Sequence, residues 1–168
     1  MRTGREEEFR AYVVRSRASL VRTATLLTAG DTHLAEDLVQ TALTKLYVAW
    51  PRIRLPDGPD GYARRILVNA LIDERRRPFR QRETSHADVP DYAPSEPPHF
   101  QALLAALAGL PPGMRAAVVL RHVHDLSVAD TARTLGCSEG NVKSQTARGL
   151  EQLRASLIPD PMTSRSTR

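Results

Sequence analysis

The sequence predicts an all-α fold of two small helical domains joined by a flexible linker, the C-terminal one a helix-turn-helix. Three observations predict it. Apolar residues recur at three- and four-residue spacing in block after block, the period of amphipathic helices. A stretch from about 79 to 99 breaks that period with prolines, acids and small polar residues, the composition of a linker. From Asp125 to Leu153 a short capped helix, a glycine and a second capped helix follow in close succession. The expected divisions are 1–78, a linker over 79–99, 100–158, and a disordered tail over 159–168.

The first helix opens with Glu6, Glu7 and Glu8 and carries Phe9, Tyr12, Val13, Leu20, Leu26 and Leu27. Acids in a first turn favour the helix macrodipole, so this run reads as a solvated helix start rather than an acidic binding site. The helix is expected to end near Ala29-Gly30. Asp31 then caps a second helix with an inner stripe of Leu34, Leu38, Val39, Ala42 and Leu46. Glu36, Asp37, Gln40, Thr41 and Thr44 gather on its opposite arc, where plain solvent exposure is the bland reading. Pro51 ends that helix, because proline can neither donate nor continue the turn.

Residues 51–61 form a loop by their proline, glycine and aspartate content. A third helix follows from about Gly61 to Arg77. Ala63, Ile66, Leu67 and Ala70 are expected to face inward, and Arg65, Val68, Asn69, Ile72 and Arg76 outward. Exposed Val68 and Ile72 among arginine and asparagine hint at a contact surface. Arg75, Arg76 and Arg77 suit a helix C-terminus and equally suit phosphate contacts. Trp50 and Tyr62 flank the loop; core packing and stacking on unpaired bases are both open to them.

Beyond the linker, Phe100, Leu103, Leu104 and Leu107 make a short helix that Leu110-Pro111-Pro112 breaks. A further helix carries Met114, Ala117, Val118, Leu120 and Arg121. These two supply a core for the helix-turn-helix. There, Ser127 caps the first helix with Asp130 three residues on, the spacing of a capping box, and Val128, Ala132 and Leu135 recur at helical spacing. Gly136 stops it, since glycine takes the left-handed cap conformation without a Cβ clash. Ser138 caps the second helix, where Val142, Thr146, Gly149, Leu150 and Leu153 share one face. Asn141, Ser144 and Arg148 point the other way, with Lys143 on the flank. Hydrogen-bond donors, one or two cations and small residues are what a helix needs to enter a major groove. An ordinary helical hairpin with a solvated face is the alternative.

Composition bounds the partners. The 168 residues are 41% hydrophobic and 26% charged, a soluble balance. Net charge is +5 and the isoelectric point about 10.0, which fits an anionic partner. Arginine supplies nearly all the cations. Cys137 is the only cysteine, so no disulfide framework or cysteine-rich zinc site is available. It is expected to be a buried turn residue. His122 and His124 lie two apart on one helix, which points their imidazoles away from each other and argues against a metal. No nucleotide-binding glycine motif and no paired catalytic carboxylates occur, so neither cofactor nor enzymatic activity is expected. No signal peptide and no apolar run long enough for a membrane are visible, so a cytoplasmic location without membrane contact is expected. The chain runs only a short way past Leu157, and no added C-terminal regulatory domain is expected.

Three blocks carry a family resemblance. AEDLVQTALTKLYVAW is similar to the polymerase-binding helix of the extracytoplasmic-function group of sigma-70 family RNA polymerase sigma factors. GYARRILVNALIDERRR is similar to that family's helix for opening and reading the −10 element. LAGLPPGMRAAVVLRHVHDLSVADTARTLGCSEGNVKSQTARGLEQLR resembles its −35-binding domain. The resemblance spans roughly Phe9 to Leu157 and is nearest to the actinobacterial sigma-E subgroup.

The resemblance implies roles. Asp37, Gln40 and Thr41 would meet the β′ clamp helices of core RNA polymerase, with Thr41 and Leu43 standing in place of the usual acid and phenylalanine. The β flap is the second polymerase contact. Arg65, Asn69 and Asp73, with Arg76 beyond them, match the helix facing the −10 element. Residues 51–61 match the segment that holds a flipped base. Lys143, Ser144 and Arg148 match positions that contact the −35 element, with Asn141 and Gln145 on the same helix; Gln145 stands where arginine is common. Many relatives are held by an anti-sigma factor. Two other classes stay in view: a helix-turn-helix regulator that recruits no polymerase, and a module that docks only protein.

Overall fold

In the computed structural model the described residues are 2–53, 58–75 and 96–158, with side chains described for 3–53, 58–73 and 96–158. They form helices and no strands. The chain divides into two compact units, Met1–Asp91 and Tyr92–Arg168.

In the first unit α1 (Arg2–Leu27), α2 (Thr32–Ala49) and α3 (Gly58–Arg75) pack pairwise, each against the other two. Helix α1 starts at Arg2, so Glu6, Glu7 and Glu8 stand beyond its first turn. The macrodipole account of that acidic run is thereby corrected, because the effect fades within one turn. All three are exposed. Thr28 closes α1 by donating to Ala24 O at 2.8 Å. The chain then turns through Ala29 (φ 53) and Gly30 (φ 93). Asp31 caps α2, its side chain accepting from Leu34 N at 3.0 Å. Pro51 lies in a single 3-10 turn, Trp50–Arg52, which ends the helix.

The core of this unit is Tyr12, Leu20, Ala24 and Leu27 from α1, Ala35, Leu38, Val39, Ala42 and Leu46 from α2, and Ala63, Leu67 and Leu71 from α3. Val68 belongs with them at 1% exposed. The outward placement expected for it is wrong: α1 and α2 both cover α3, which widens its buried face. Ile72 is half-buried.

The second unit holds α4 (Pro98–Ala108), α5 (Pro112–Val118), α6 (Val128–Leu135) and α7 (Glu139–Leu157). Helix α4 begins two residues before Phe100. Pro112 opens α5, where the missing N–H is harmless. Arg115 is buried and donates through Nε to Leu107 O at 2.9 Å and through Nη2 to Leu110 O at 3.1 Å. Burial pushes its pKa below the ordinary arginine value. Helix α5 runs on as a π-turn, Val119–Val123, with His124 N bonded to Val119 O. Asp125 then takes φ 51, and Arg121 bonds Leu126 O before α6 begins. Helix α7 packs against α4, α5 and α6. Its inner face carries Val142, Thr146, Gly149 and Leu153, all buried. A Cβ at Gly149 would lie 2.5 Å from Val118 Cγ2, so the crossing with α5 needs glycine.

Candidate nucleic-acid interface

The turn between α6 and α7 is built from local chemistry. Ser127 Oγ accepts from Asp130 N at 3.0 Å, and Ser138 Oγ accepts from Asn141 N at 3.1 Å. Each satisfies a helix-start amide that would otherwise be bare. Asp130 does not reach back to complete a capping box; its carboxylate pairs with Arg133. Gly136 sits in the left-handed region at φ 67, and Cys137 N follows by bonding Ala132 O at 3.1 Å. Cys137 is half-buried rather than buried, because the turn leaves it at the edge of the α6–α7 packing.

This turn presents α7 with two unlike faces. Asn141, Lys143, Ser144 and Arg148 are exposed together on the outer side. Gln145 is half-buried, since it lies three residues from buried Val142. The inner side holds a surprise: Thr131 of α6 is 0% exposed and Thr146 of α7 is buried, and neither hydroxyl has a hydrogen-bond partner. Sequence patterning did not place Thr131 in the core.

On α3, Arg65, Asn69 and Asp73 recur every four residues and so share a face. Asn69 and Asp73 are exposed, while Arg65 is half-buried with its Nε enclosed and unpartnered. Arg75 ends α3, and Arg76 and Arg77 lie outside the described residues.

On α2, Asp37, Gln40 and Thr41 are exposed. Gln40 borders a cleft of about 390 Å³ against α1, lined also by Phe9, Val13, Arg17, Leu43 and Tyr47. Tyr47 and Val48 are exposed at 52% and 74%. Sequence reading missed them, although they stand one heptad beyond Gln40 and Thr41, on the same arc. A second cleft, about 570 Å³, opens where α2 ends and α3 begins. Lys45, Val48, Arg52, Ile53 and Tyr62 line it, so cationic and aromatic groups meet there. Trp50 turns the other way, packing edge-on against Phe9 at 5.3 Å. Core packing therefore describes Trp50, while Tyr62 borders open space. Among the described residues no cluster of three or more His, Cys, Asp or Glu could hold a metal, and no helix is long and apolar enough to cross a membrane.

Two all-helical units, one presenting a capped helix-turn-helix with a polar reading face, define a DNA-binding transcription protein. Known proteins narrow this. Residues 12–82 match the family described as Sigma-70 region 2, and residues 100–153 match Sigma-70, region 4. The RNA polymerase sigma-E factor of Streptomyces coelicolor is 34% identical over 163 residues, covering 95% of this chain and 91% of that one. Its counterpart in Streptomyces avermitilis is 35% identical over 161 residues, covering 94% and 89%. Among solved structures, the sigma factor RpoE in complex with the anti-sigma factor NepR from Bartonella quintana superposes with a TM-score of 0.73 at 25% identity, covering 90% of this chain and 97% of that one. CnrH in complex with the cytosolic domain of CnrY shares the fold at a TM-score of 0.61 and 21% identity, covering 96% and 91%. The chain belongs to the extracytoplasmic-function group of the sigma-70 family of RNA polymerase sigma factors. It directs promoter recognition, and the reading as a regulator that recruits no polymerase is not favoured. Sigma factors in general are not enzymes.

Proposed function

We propose that the C-terminal unit reads the −35 element through α7, with Asn141, Lys143, Ser144, Gln145 and Arg148 meeting base edges and phosphates. The observation that carries this reading is the split of α7 into a buried apolar face and an exposed face of donors and cations. The N-terminal unit opens the −10 element along α3, where Arg65, Asn69 and Asp73 share a face; Arg76, outside the described residues, completes the set. The cleft of Lys45, Arg52 and Tyr62 takes an unpaired base by stacking and charge. Binding there offsets the few kcal/mol of unstacking, on the order of that for base flipping.

Asp37, Gln40 and Thr41 dock on the β′ clamp helices of core polymerase, and the C-terminal unit meets the β flap. The linker expected over 79–99, shortened at its end because α4 already begins at Pro98, lets both units engage one promoter, so each raises the other's effective concentration; most of it, and the tail expected over 159–168, lie outside the described residues. The protein works in the cytoplasm without cofactor, metal or catalytic activity. An anti-sigma factor regulates it, as the complex of the sigma factor RpoE with the anti-sigma factor NepR supports.

The test is run-off transcription with core RNA polymerase lacking any other sigma, on a genomic fragment pool. Discrete transcripts that require this protein are expected. Arg148→Ala should weaken −35 binding and lower the salt dependence by about one phosphate contact, and Asn69→Ala should weaken opening with −35 binding unchanged. No transcripts and no stable complex with core polymerase would sink the proposal.

A further inference from the structure

Tyr12 of α1 touches both ends of the segment that joins α2 to α3. Its hydroxyl donates to Asp60 Oδ1 at 2.9 Å, a bond between residues 48 apart in sequence. Its ring lies 5.3 Å from that of Trp50. Trp50 begins the turn leaving α2, and Asp60 sits in the first turn of α3. Tyr12 itself is enclosed at 2% exposed, while Asp60 is exposed and the bond part-buried; the Arg15 guanidinium lies 5.9 Å from the Tyr12 ring centroid, and Phe9 holds Trp50 from another side at 5.3 Å. Burial, reinforced by the Asp60 carboxylate, pushes the Tyr12 pKa up to about 12, so the hydroxyl keeps its proton wherever polymerase works.

The hydroxyl is not needed for packing, since a phenyl ring fills the same space. Its bond to Asp60 adds something different, a fixed distance between Trp50 and the start of α3. Lys45 and Arg52 stand on the α2 side of the neighbouring cleft and Tyr62 on the α3 side. A site whose two walls are fixed beforehand loses less conformational entropy on binding than one that must assemble around its ligand.

We propose that Tyr12 is a positioning residue for promoter opening. Through Asp60 and Trp50 it fixes the spacing between the end of α2 and the start of α3, and so holds the cleft of Lys45, Arg52 and Tyr62 ready for an unpaired −10 base. This rests on the reading of that cleft as the −10 single-strand site. Tyr12 touches no DNA in this arrangement; it acts through the two residues it holds.

The experiment uses holoenzyme assembled from core polymerase and the full chain, on a promoter recovered from the run-off pool. Open complexes are counted by permanganate reactivity of unpaired thymines, and affinity for the single-stranded −10 non-template oligonucleotide is measured alongside. Tyr12→Phe is expected to lower both by about three- to tenfold, the factor that one ordinary net hydrogen bond is worth. Core-polymerase affinity and −35 duplex binding should not move. Asp60→Ala should match Tyr12→Phe, and the double variant should be no worse than either. Asp60→Asn, whose amide oxygen still accepts, should keep opening near that of the unaltered chain. Opening within twofold of the unaltered chain in Tyr12→Phe would overturn the proposal. So would a loss that tracks core affinity and thermal stability, since that marks a purely structural role. Tyr62→Ala separates the two failures. If it is defective while Tyr12→Phe is not, only the positioning role falls; if both open normally, the −10 reading of the cleft falls too.

Discussion

Adding one methyl group at Gly149 should destabilise the second unit, and the sign of that effect is set by geometry. A Cβ there would meet Val118 Cγ2 at 2.5 Å and Met114 Cγ at 3.0 Å, where carbons ordinarily rest about 3.5–4.0 Å apart. Met114 is flexible and can give way. Val118 cannot, because it is buried and a β-branched side chain in a helix has essentially one χ1 rotamer. Overpacking of this kind costs about 1–3 kcal/mol, and so short a contact belongs near the upper end. Replacing glycine by alanine inside a helix returns about 1 kcal/mol of propensity. Gly149→Ala should therefore lose about 1–2 kcal/mol net, which for a unit of this size lowers the midpoint by roughly 5–15 °C. The assay is a thermal melt of the full chain, with hydrogen exchange of α5 and α7 amides assigning the transition. Gly140→Ala is the control on the same helix: a Cβ there meets nothing within 4 Å, so that variant should hold or gain stability. In a Val118→Ala background the Gly149→Ala penalty should largely vanish. If Gly149→Ala melts as high as Gly140→Ala, the close-crossing argument is refuted.

Two further outcomes concern the first unit. Val68→Ala should cost about 1–3 kcal/mol in urea denaturation, as deletion of buried methyl groups does, whereas a solvent-facing valine would leave the midpoint unchanged. The raised pKa of Tyr12 gives an alkaline signature. Folding raises this phenol's pKa from its ordinary 10.0 to about 12, mainly because burial penalises the charged form, so its ionisation leaves stability untouched below pH 10 and lowers it as pH rises towards 12. Urea midpoints measured across that window, with tyrosinate absorbance followed in parallel, should fall more steeply for the unaltered chain than for Tyr12→Phe.

What the sequence disclosed was mostly what neighbouring residues do to one another. Ser127, Gly136 and Ser138 are local devices, and each sits where its chemistry put it. Asp31 and Pro51 bound α2 for the same reason. Val68 was misplaced because its burial depends on two other helices, which no helical wheel of α3 can see. The Tyr12–Asp60 bond escaped notice for a related reason: nothing in either neighbourhood marks a partner 48 residues away. Thr131 reads as polar and lies fully enclosed, since the corner between α6 and α7 buries what the wheel leaves outside. At the interface, Asn141, Ser144 and Arg148 could be placed on the open face of α7 from periodicity alone, with Lys143 on its flank. Gln145 could not, because it stands at the margin where a small tilt decides its exposure.

The buried Arg115 has a mechanical consequence. At the end of α4, Leu107 O already accepts from Leu110 N at 3.0 Å, but Pro111 and Pro112 have no amide to offer the corner's other carbonyls. A side chain from the following helix reaches back and occupies two carbonyl oxygens at that corner, Leu107 O and Leu110 O. The corner is thus a braced joint rather than a hinge: changing its angle would strip partners from a charge already removed from water. Helices α4 and α5 both pack on α7, so the brace fixes the seat of α7. On the proposed reading of α7 as the helix that meets the −35 element, it arrives at the duplex already shaped, and that encounter is closer to the seating of a key than to the closing of a hand.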